Sequence, residues 1–194
     1  MKITTALAIT LIATGLLFNT AYTTAYAEEH EHEHEHEQHG AHEHGVATLS
    51  LAIGKDGAEI QLESPAANLV GFEHTARTDE EKHKLLAATQ TLQAGDKLFT
   101  LNSEAGCQLD NAEISTNIDG KTAKTDAHQS EESHSDMDVT WTYTCTNAAA
   151  LKTVGVKLFS AFPQGFERIK AEWVTDKGAS AAELTTDGDL NLQP

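Results

Sequence analysis

Seven of the eleven histidines of this chain fall within eighteen residues, EEHEHEHEHEQHGAHEHG, from Glu28 to Gly45. They are His30, His32, His34, His36, His39, His42 and His44, and most alternate with glutamate. Neutral imidazole is a common ligand for zinc, copper and nickel. Zinc takes nitrogens at about 2.0–2.1 Å, usually with four ligands in a tetrahedron. Alternate residues of an extended chain project to one side roughly 6.6 Å apart, so a chain that bends brings two or three rings onto one ion. The glutamates can ligate, orient imidazole N–H groups or add negative potential. Ordering the chain opposes each such site, and several equivalent ligand trios exist. Weak to moderate sites with interchangeable ligands suit capture and release better than structural holding.

Simpler explanations of the run fit less well. A solvated charge run needs only Glu or Asp, because histidine adds nothing to solubility at neutral pH. An affinity tag alternates in a similar way, but this run directly follows a native-looking cleavage site and continues irregularly as QHGAHEHG. His30-Glu31-His32-Glu33-His34 satisfies H-E-x-x-H formally. That match is a by-product of the repeat: a zinc protease needs the motif on a buried helix, and no apolar periodicity supports one here. Imidazoles must be neutral to bind, so affinity should fall steeply below about pH 6.5.

Four histidines lie elsewhere. His74 ends GFEH beside Glu73, and His83 sits on a predicted helix where it faces solvent by default. His128 and His134 lie in an acidic stretch with Asp126, Glu131, Glu132, Asp136 and Asp138, a second and thinner cation-binding candidate. No Ser-His-Asp order, phosphate loop or nucleophile elbow stands out, and nothing marks a general base beside an open metal position. The chain reads as a binding protein and not an enzyme.

The elements that carry these residues can be read from either side of the run. MKITTALAITLIATGLLFNTAYTTAYA has Lys2, an apolar stretch from Ala6 to Phe18 and a small-x-small site at Ala25-Tyr26-Ala27. This is a secretory signal peptide over residues 1–27, too short in its apolar part for a membrane span. No cysteine stands at the cleavage site and no later stretch is long and apolar enough to span a bilayer. The expectation is a soluble, exported protein without membrane insertion once the signal is removed. About 165 residues then remain, enough for one domain with a core. Thirty acidic residues stand against 13 basic ones, a balance that repels nucleic acid and attracts cations.

Cys107 and Cys145 are the two cysteines. In an exported chain such a pair most often forms one disulfide. Closing a loop of about 39 residues stabilises by roughly 4 kcal/mol on chain-entropy arithmetic. The rival reading, a pair of thiolate metal ligands, is disfavoured by an oxidising compartment.

Residues 28–45 have too few apolar side chains to bury a core and are expected to form a disordered arm. VATLSLAI (46–53), the turn GKDG and AEIQLES (58–64) read as a β-hairpin. PAANLVGFEH (65–74) lacks a period and reads as a structured loop. TDEEKHKLLAATQTLQ (78–93) reads as a helix with a Thr78/Glu81 capping box, Leu85, Ala88 and Leu92 on one face, and a stop at Gly95. KLFTL (97–101), CQLDNAEISTNI (107–118) and MDVTWTYTCT (137–146) read as strands, the last with Val139, Trp141, Tyr143 and Cys145 facing one way. Residues 119–136 read as a flexible acidic loop. LKTVGVKLFSAF (151–162), FERIKAEWV (166–174), ASAAELT (179–185) and LNL (190–192) read as further strands, with TDKG as a hairpin turn. The absence of βαβ alternation argues against a doubly wound fold. The fold class is α+β: a single domain over 46–194, mostly antiparallel sheet with one main helix, behind a disordered His/Glu-rich N-terminal arm.

HEHGVATLSLAIGKDGAEIQLESPAANLVGFEHTARTDEE resembles the opening of the ZrgA family of periplasmic zinc-binding proteins, and SPAANLVGFEH is the most specific piece. HSDMDVTWTYTC, VGVKLFSAFPQGFERIKAEWVTDKG and the final LNL follow in that family's order, so the resemblance covers roughly residues 42–192. It implies a non-catalytic, zinc-responsive protein of zinc uptake or buffering, working with a zinc transporter or energised uptake complex. It also implies zinc sites on the folded domain. Carried over by motif, these fall on His42 and His44 of HEHG, Glu73 and His74 of GFEH, and His134 with Asp136 of HSD. Similar proteins often carry a dense His/Asp run in the loop before the second cysteine; here that loop holds only His128 and His134, while the N-terminal run is long.

Two other classes compete with a zinc buffer or carrier. A cargo-binding subunit of a metal importer also carries His-rich loops but needs two α/β lobes and a longer chain. A zinc-dependent hydrolase needs a closed ligand set plus a base. Imidazole sites favour Cu(II) over Zn(II) in raw affinity, so zinc rests on the resemblance, and copper or nickel suit the arm as well.

Overall fold

Alternating apolar residues build the sheet that positions the site. In the computed structural model residues 43–118 and 135–193 are described; the expected signal peptide, the arm as far as residue 42 and the acidic loop from 119 to 134 lie outside them. In chain order the elements are β1 (Val46–Ile53), β2 (Gly57–Pro65), α1 (Ala66–Val70), α2 (Asp79–Gln93), α3 (Gly95–Leu98), β3 (Phe99–Leu101) and β4 (Cys107–Thr116). After them come β5 (Asp136–Cys145), β6 (Thr153–Val156), α4 (Leu158–Ala161), β7 (Arg168–Thr175), β8 (Gly178–Leu184) and β9 (Gly188–Asn191). The result is the α+β, sheet-dominated architecture with one long helix that the sequence predicts.

Six strands run in the order β4-β5-β2-β1-β7-β8 and three in the order β3-β6-β9. Every pairing is antiparallel except β1 with β7, which run parallel with Val46 opposite Arg168. Leu49, Leu51, Ile60, Leu62, Val139, Trp141, Ile169 and Trp173 face inward and are buried. Ser50, Glu59, Gln61, Thr140, Thr142 and Glu172 alternate with them and keep the other face polar. One face covered and one wetted is the usual arrangement of an antiparallel sheet.

Trp141 fastens the covering layer. Its indole N–H donates to Leu92 O at 2.7 Å, and its ring meets Phe99 edge-on at 4.8 Å between centroids. Ala88 and Leu92 are the buried residues of α2, while Leu86 on its flank is exposed. The capping box is present as expected, with Glu81 N donating to Thr78 Oγ1 and Thr78 N donating to the Glu81 carboxylate.

The structure corrects three segments. Residues 66–70 form the helix α1 instead of a loop: it starts directly after Pro65, the last residue of β2, and Gly71 at φ +84° closes it by donating to Ala67 O. Five residues are too few to show a helical period. Residues 95–98 form α3, leaving a strand only from Phe99. Gly95 lies so close to Trp141 and Tyr143 that an added Cβ would come within 3.2 Å of the Tyr143 hydroxyl. Residues 158–161 form α4, not strand, because Asp187 Oδ1 accepts from Phe159 N at 3.0 Å and Ser160 N at 3.1 Å. That cap lies 27 to 28 residues away in the chain and leaves no local trace. Among the described residues there is no two-lobed α/β arrangement.

Candidate metal centre

One end of the six-stranded sheet collects the candidate ligands. Register brings together the starts of β1 and β7 (Val46 opposite Arg168), the end of β2 with the start of β5 (Pro65 opposite Asp136), and the end of β4 (Thr116 opposite Met137). The last residues of the His/Glu run enter β1 at this end, and α1 followed by Phe72-Glu73-His74 leaves β2 there. Ile118 O accepts from Ala76 N at 3.0 Å, and Ser135 O accepts from Ala66 N at 2.8 Å. The two residues flanking segment 119–134 are therefore both fastened to this end.

Asn68 and Gly45 hold His44 in place. Asn68 Oδ1 accepts from Gly45 N at 2.8 Å, and its amide nitrogen donates to Val46 O at 3.0 Å and Ser64 Oγ at 3.2 Å. The side chain is only 5% exposed, so it acts as a short extra strand partner inside the fold. Gly45 O accepts from Glu167 N at 2.7 Å and Arg168 N at 3.0 Å. Gly45 has φ +81°, a left-handed conformation that favours glycine, and an added Cβ would displace the Glu167 side chain, whose Cγ would lie 2.8 Å away. Arg168 Nη2 also reaches Glu43 at 3.2 Å. Residues 43–45, placed in the arm by composition, are thus tied to the domain. His44 keeps its ring outside, 66% exposed, with Nε2 2.9 Å from Oε1 of the mostly covered Glu73.

His74 lies next along the chain. Its Nδ1 is 3.1 Å from Thr75 O and its Nε2 3.7 Å from Glu81 Oε1. Its ring stacks on Phe72 with centroids 5.2 Å apart. Glu81 Oε2 accepts from Thr78 N at 2.9 Å and Arg77 N at 2.8 Å. These backbone donors, Thr78 first, hold the Glu81 carboxyl below its ordinary value of 4.5.

Of the sequence candidates, then, the fold joins His44 to Glu73 and sets His74 beside Glu81. Asp136 sits at the start of β5 at the same sheet end, and His83 is exposed on α2 as expected. His30, His32, His34, His36, His39, His42, His128 and His134 lie outside the described residues. Cys107 and Cys145 form the expected disulfide as cross-strand partners of β4 and β5. They stand at the opposite end of ten-residue strands, about 30 Å from the ligands, which removes them as thiolate ligands. Among the described residues no three His, Cys, Asp or Glu side chains form a metal cluster. Asn68, Glu81 and Arg168 are the residues that sequence reasoning did not assign to the site. Glu81 was visible only as a helix cap, and the roles of Asn68 and Arg168 depend on pairings across the fold.

An imidazole and a carboxylate supply two of the four donors that tetrahedral zinc takes. Two such ligands on one zinc stand about 3.3–3.5 Å apart. The His44–Glu73 pair is at hydrogen-bond distance, so it must open by roughly half an ångström to admit the ion. The exposed ring allows that movement and leaves the remaining positions to water or to donors from elsewhere in the chain.

No helix among the described residues is long and apolar enough to cross a membrane. No curated protein matches the chain. A family model described as the ZrgA family zinc uptake protein matches residues 41–190, from the last residues of the histidine run through the two sheets to β9. The chain belongs to the ZrgA family of zinc uptake proteins.

Proposed function

We propose that this protein captures zinc in the periplasm and passes it to an uptake system, without catalysing a reaction. The histidines from His30 to His42 act as a capture arm with exchangeable ligand sets. The folded domain receives the ion at the sheet end, where His44 and Glu73 stand. The observation that carries this reading is the His44–Glu73 pair: the last histidine of the run is fixed by Asn68 and Gly45 against a carboxylate delivered by the GFEH segment. An ion held at His42, the last histidine of the arm, is then two residues from His44 of that pair. The surrounding acidity, 30 acidic against 13 basic residues, favours cation approach. Family membership supports zinc as the cargo; the arm's imidazoles by themselves also accept nickel and favour copper.

Calorimetric zinc titration tests this reading on three chains, beginning at Glu28, Glu43 and Gly45. Stoichiometry is expected to drop when the arm is removed at Glu43, and affinity to drop again when His44 goes at Gly45. Equal zinc binding by all three chains overturns the proposal.

A further inference from the structure

Glu81 completes the N-terminal capping box of α2, yet only one of its two oxygens serves the cap. Oε2 takes the backbone N–H groups of Arg77 and Thr78, and Oε1 faces His74 Nε2 at 3.7 Å. That separation is too long for a hydrogen bond. It is within a few tenths of an ångström of the spacing between two ligands on one tetrahedral zinc, about 3.3–3.5 Å.

The tautomer of His74 points the same way. Its Nδ1 stands 3.1 Å from Thr75 O, and a carbonyl oxygen only accepts. The neutral ring therefore carries its proton on Nδ1 and presents a lone pair at Nε2, toward Glu81. A ring nitrogen that donates to a backbone carbonyl while its partner binds metal is the common arrangement of histidine ligands. Phe72 stacked on the ring restrains its plane, and two backbone donors restrain the carboxylate. Both donors are thus oriented before any ion arrives. The positive end of the α2 dipole opposes a cation with about half a charge; of the acidic residues in that first turn, Asp79 pairs with Lys82 and Glu80 with Lys84, and the full charge of Glu81 offsets the dipole.

We propose that His74 Nε2 and Glu81 Oε1 form a preformed two-point zinc site on the folded domain, separate from the His44–Glu73 pair, with water in the remaining positions. The inference rests on zinc being the cargo, as argued above, and adds a ligand that the capping role concealed.

The test follows the imidazole nitrogens of His74 by NMR in the full chain from Glu28 during zinc addition. The expected result is an Nδ1–H tautomer without metal and a zinc-induced change at Nε2. Glu81→Gln keeps an oxygen for the cap, since Gln also completes a capping box, but replaces the facing oxygen by a donor. It is expected to raise the zinc midpoint at His74 at least about tenfold. Thr78→Ala, which weakens the cap and leaves the carboxylate, is expected to leave that midpoint within about twofold. If Glu81→Gln leaves the midpoint unchanged, or if zinc binds at Nδ1, the two-point site is wrong. A silent His74 with a responsive His44 overturns this site alone, whereas zinc silence at every histidine overturns the functional reading beneath it.

Discussion

His44 Nε2 lies 2.9 Å from Glu73 Oε1 across 29 residues of chain. Each partner is delivered by a different device, a glycine turn locked into the sheet and a short helix capped by Gly71. His44→Ala or Glu73→Ala is expected to weaken zinc binding at the domain by at least the roughly 10–100-fold typical of disturbed metal shells. The His44 ring is largely exposed, so its removal costs folding little, exposed polar pairs contributing about 0–1 kcal/mol. Calorimetry of His44→Ala should therefore report a lost site while its urea midpoint stays nearly fixed. A variant that loses zinc binding only in proportion to its lost stability would show that the pair is structural.

Most of the sheet was legible because its strands alternate cleanly. MDVTWTYTCT shows one buried and one polar face in its residue order, and the structure buries Val139, Trp141, Tyr143 and Cys145. The helix α2 announced its start through Thr78 and Glu81. The elements that escaped are four or five residues long and fixed by distant partners: α4 by Asp187, α3 by the space beneath Trp141. The site divided in the same way. His44, Glu73 and His74 stood out by residue type, whereas the parallel pairing that brings Arg168 to Gly45, and the second use of Glu81, arise only from tertiary neighbours. No periodicity encodes them.

Asn68 links the domain's stability to its ligand geometry. Replacing it by Ala leaves Gly45 N and Val46 O without their buried partner. At about 1–3 kcal/mol for each unpaired buried group, the loss should be about 2–6 kcal/mol, read as a lower urea midpoint with unchanged slope. Under native conditions the same variant should also bind zinc more weakly through His44, because the residue beside it is no longer pinned. A urea midpoint within experimental error of the parent would show that Asn68 does not hold this junction.

Reduction should affect folding and spare the metal site. The Cys107–Cys145 bond closes a ring containing Ile118 and Ser135, and opening it is expected to destabilise the protein by about 4 kcal/mol. The cysteines lie at the far end of β4 and β5 from His44, so zinc binding by the still-folded reduced protein should be unchanged. Denaturation with and without a non-chelating reductant checks the first point, and zinc titration of the Cys107→Ser/Cys145→Ser chain checks the second.

Glu104 gives a pH signature independent of zinc. The Asn102 amide donates to its carboxylate at 2.9 Å and, with lesser help from the residue's own backbone N–H, holds its pKa below the ordinary 4.5. A depressed folded pKa adds stability above the unfolded value, and that stability is lost as pH falls through the folded one. Glu104→Ala should therefore be less stable than the parent at pH 7, with the difference shrinking as pH falls below about 4. Urea titrations of both proteins at several pH values measure it; a gap that is constant or widens on acidification contradicts the assignment.

The distribution of histidines ranks the two candidate capture segments. Residues 28–39 carry five histidines and residues 121–134 carry two. If imidazoles capture the ion, deleting 28–39 should remove more bound zinc than deleting 121–134, counted by equilibrium dialysis at neutral pH. Both deletions leave Gly45, Asn68 and the His44–Glu73 pair in place, so each reports capture and not the domain site. The second deletion also removes Asp126, Glu131 and Glu132. A larger loss from that deletion would therefore assign capture to carboxylates near the start of β5, and the arm would lose its role as the principal collector.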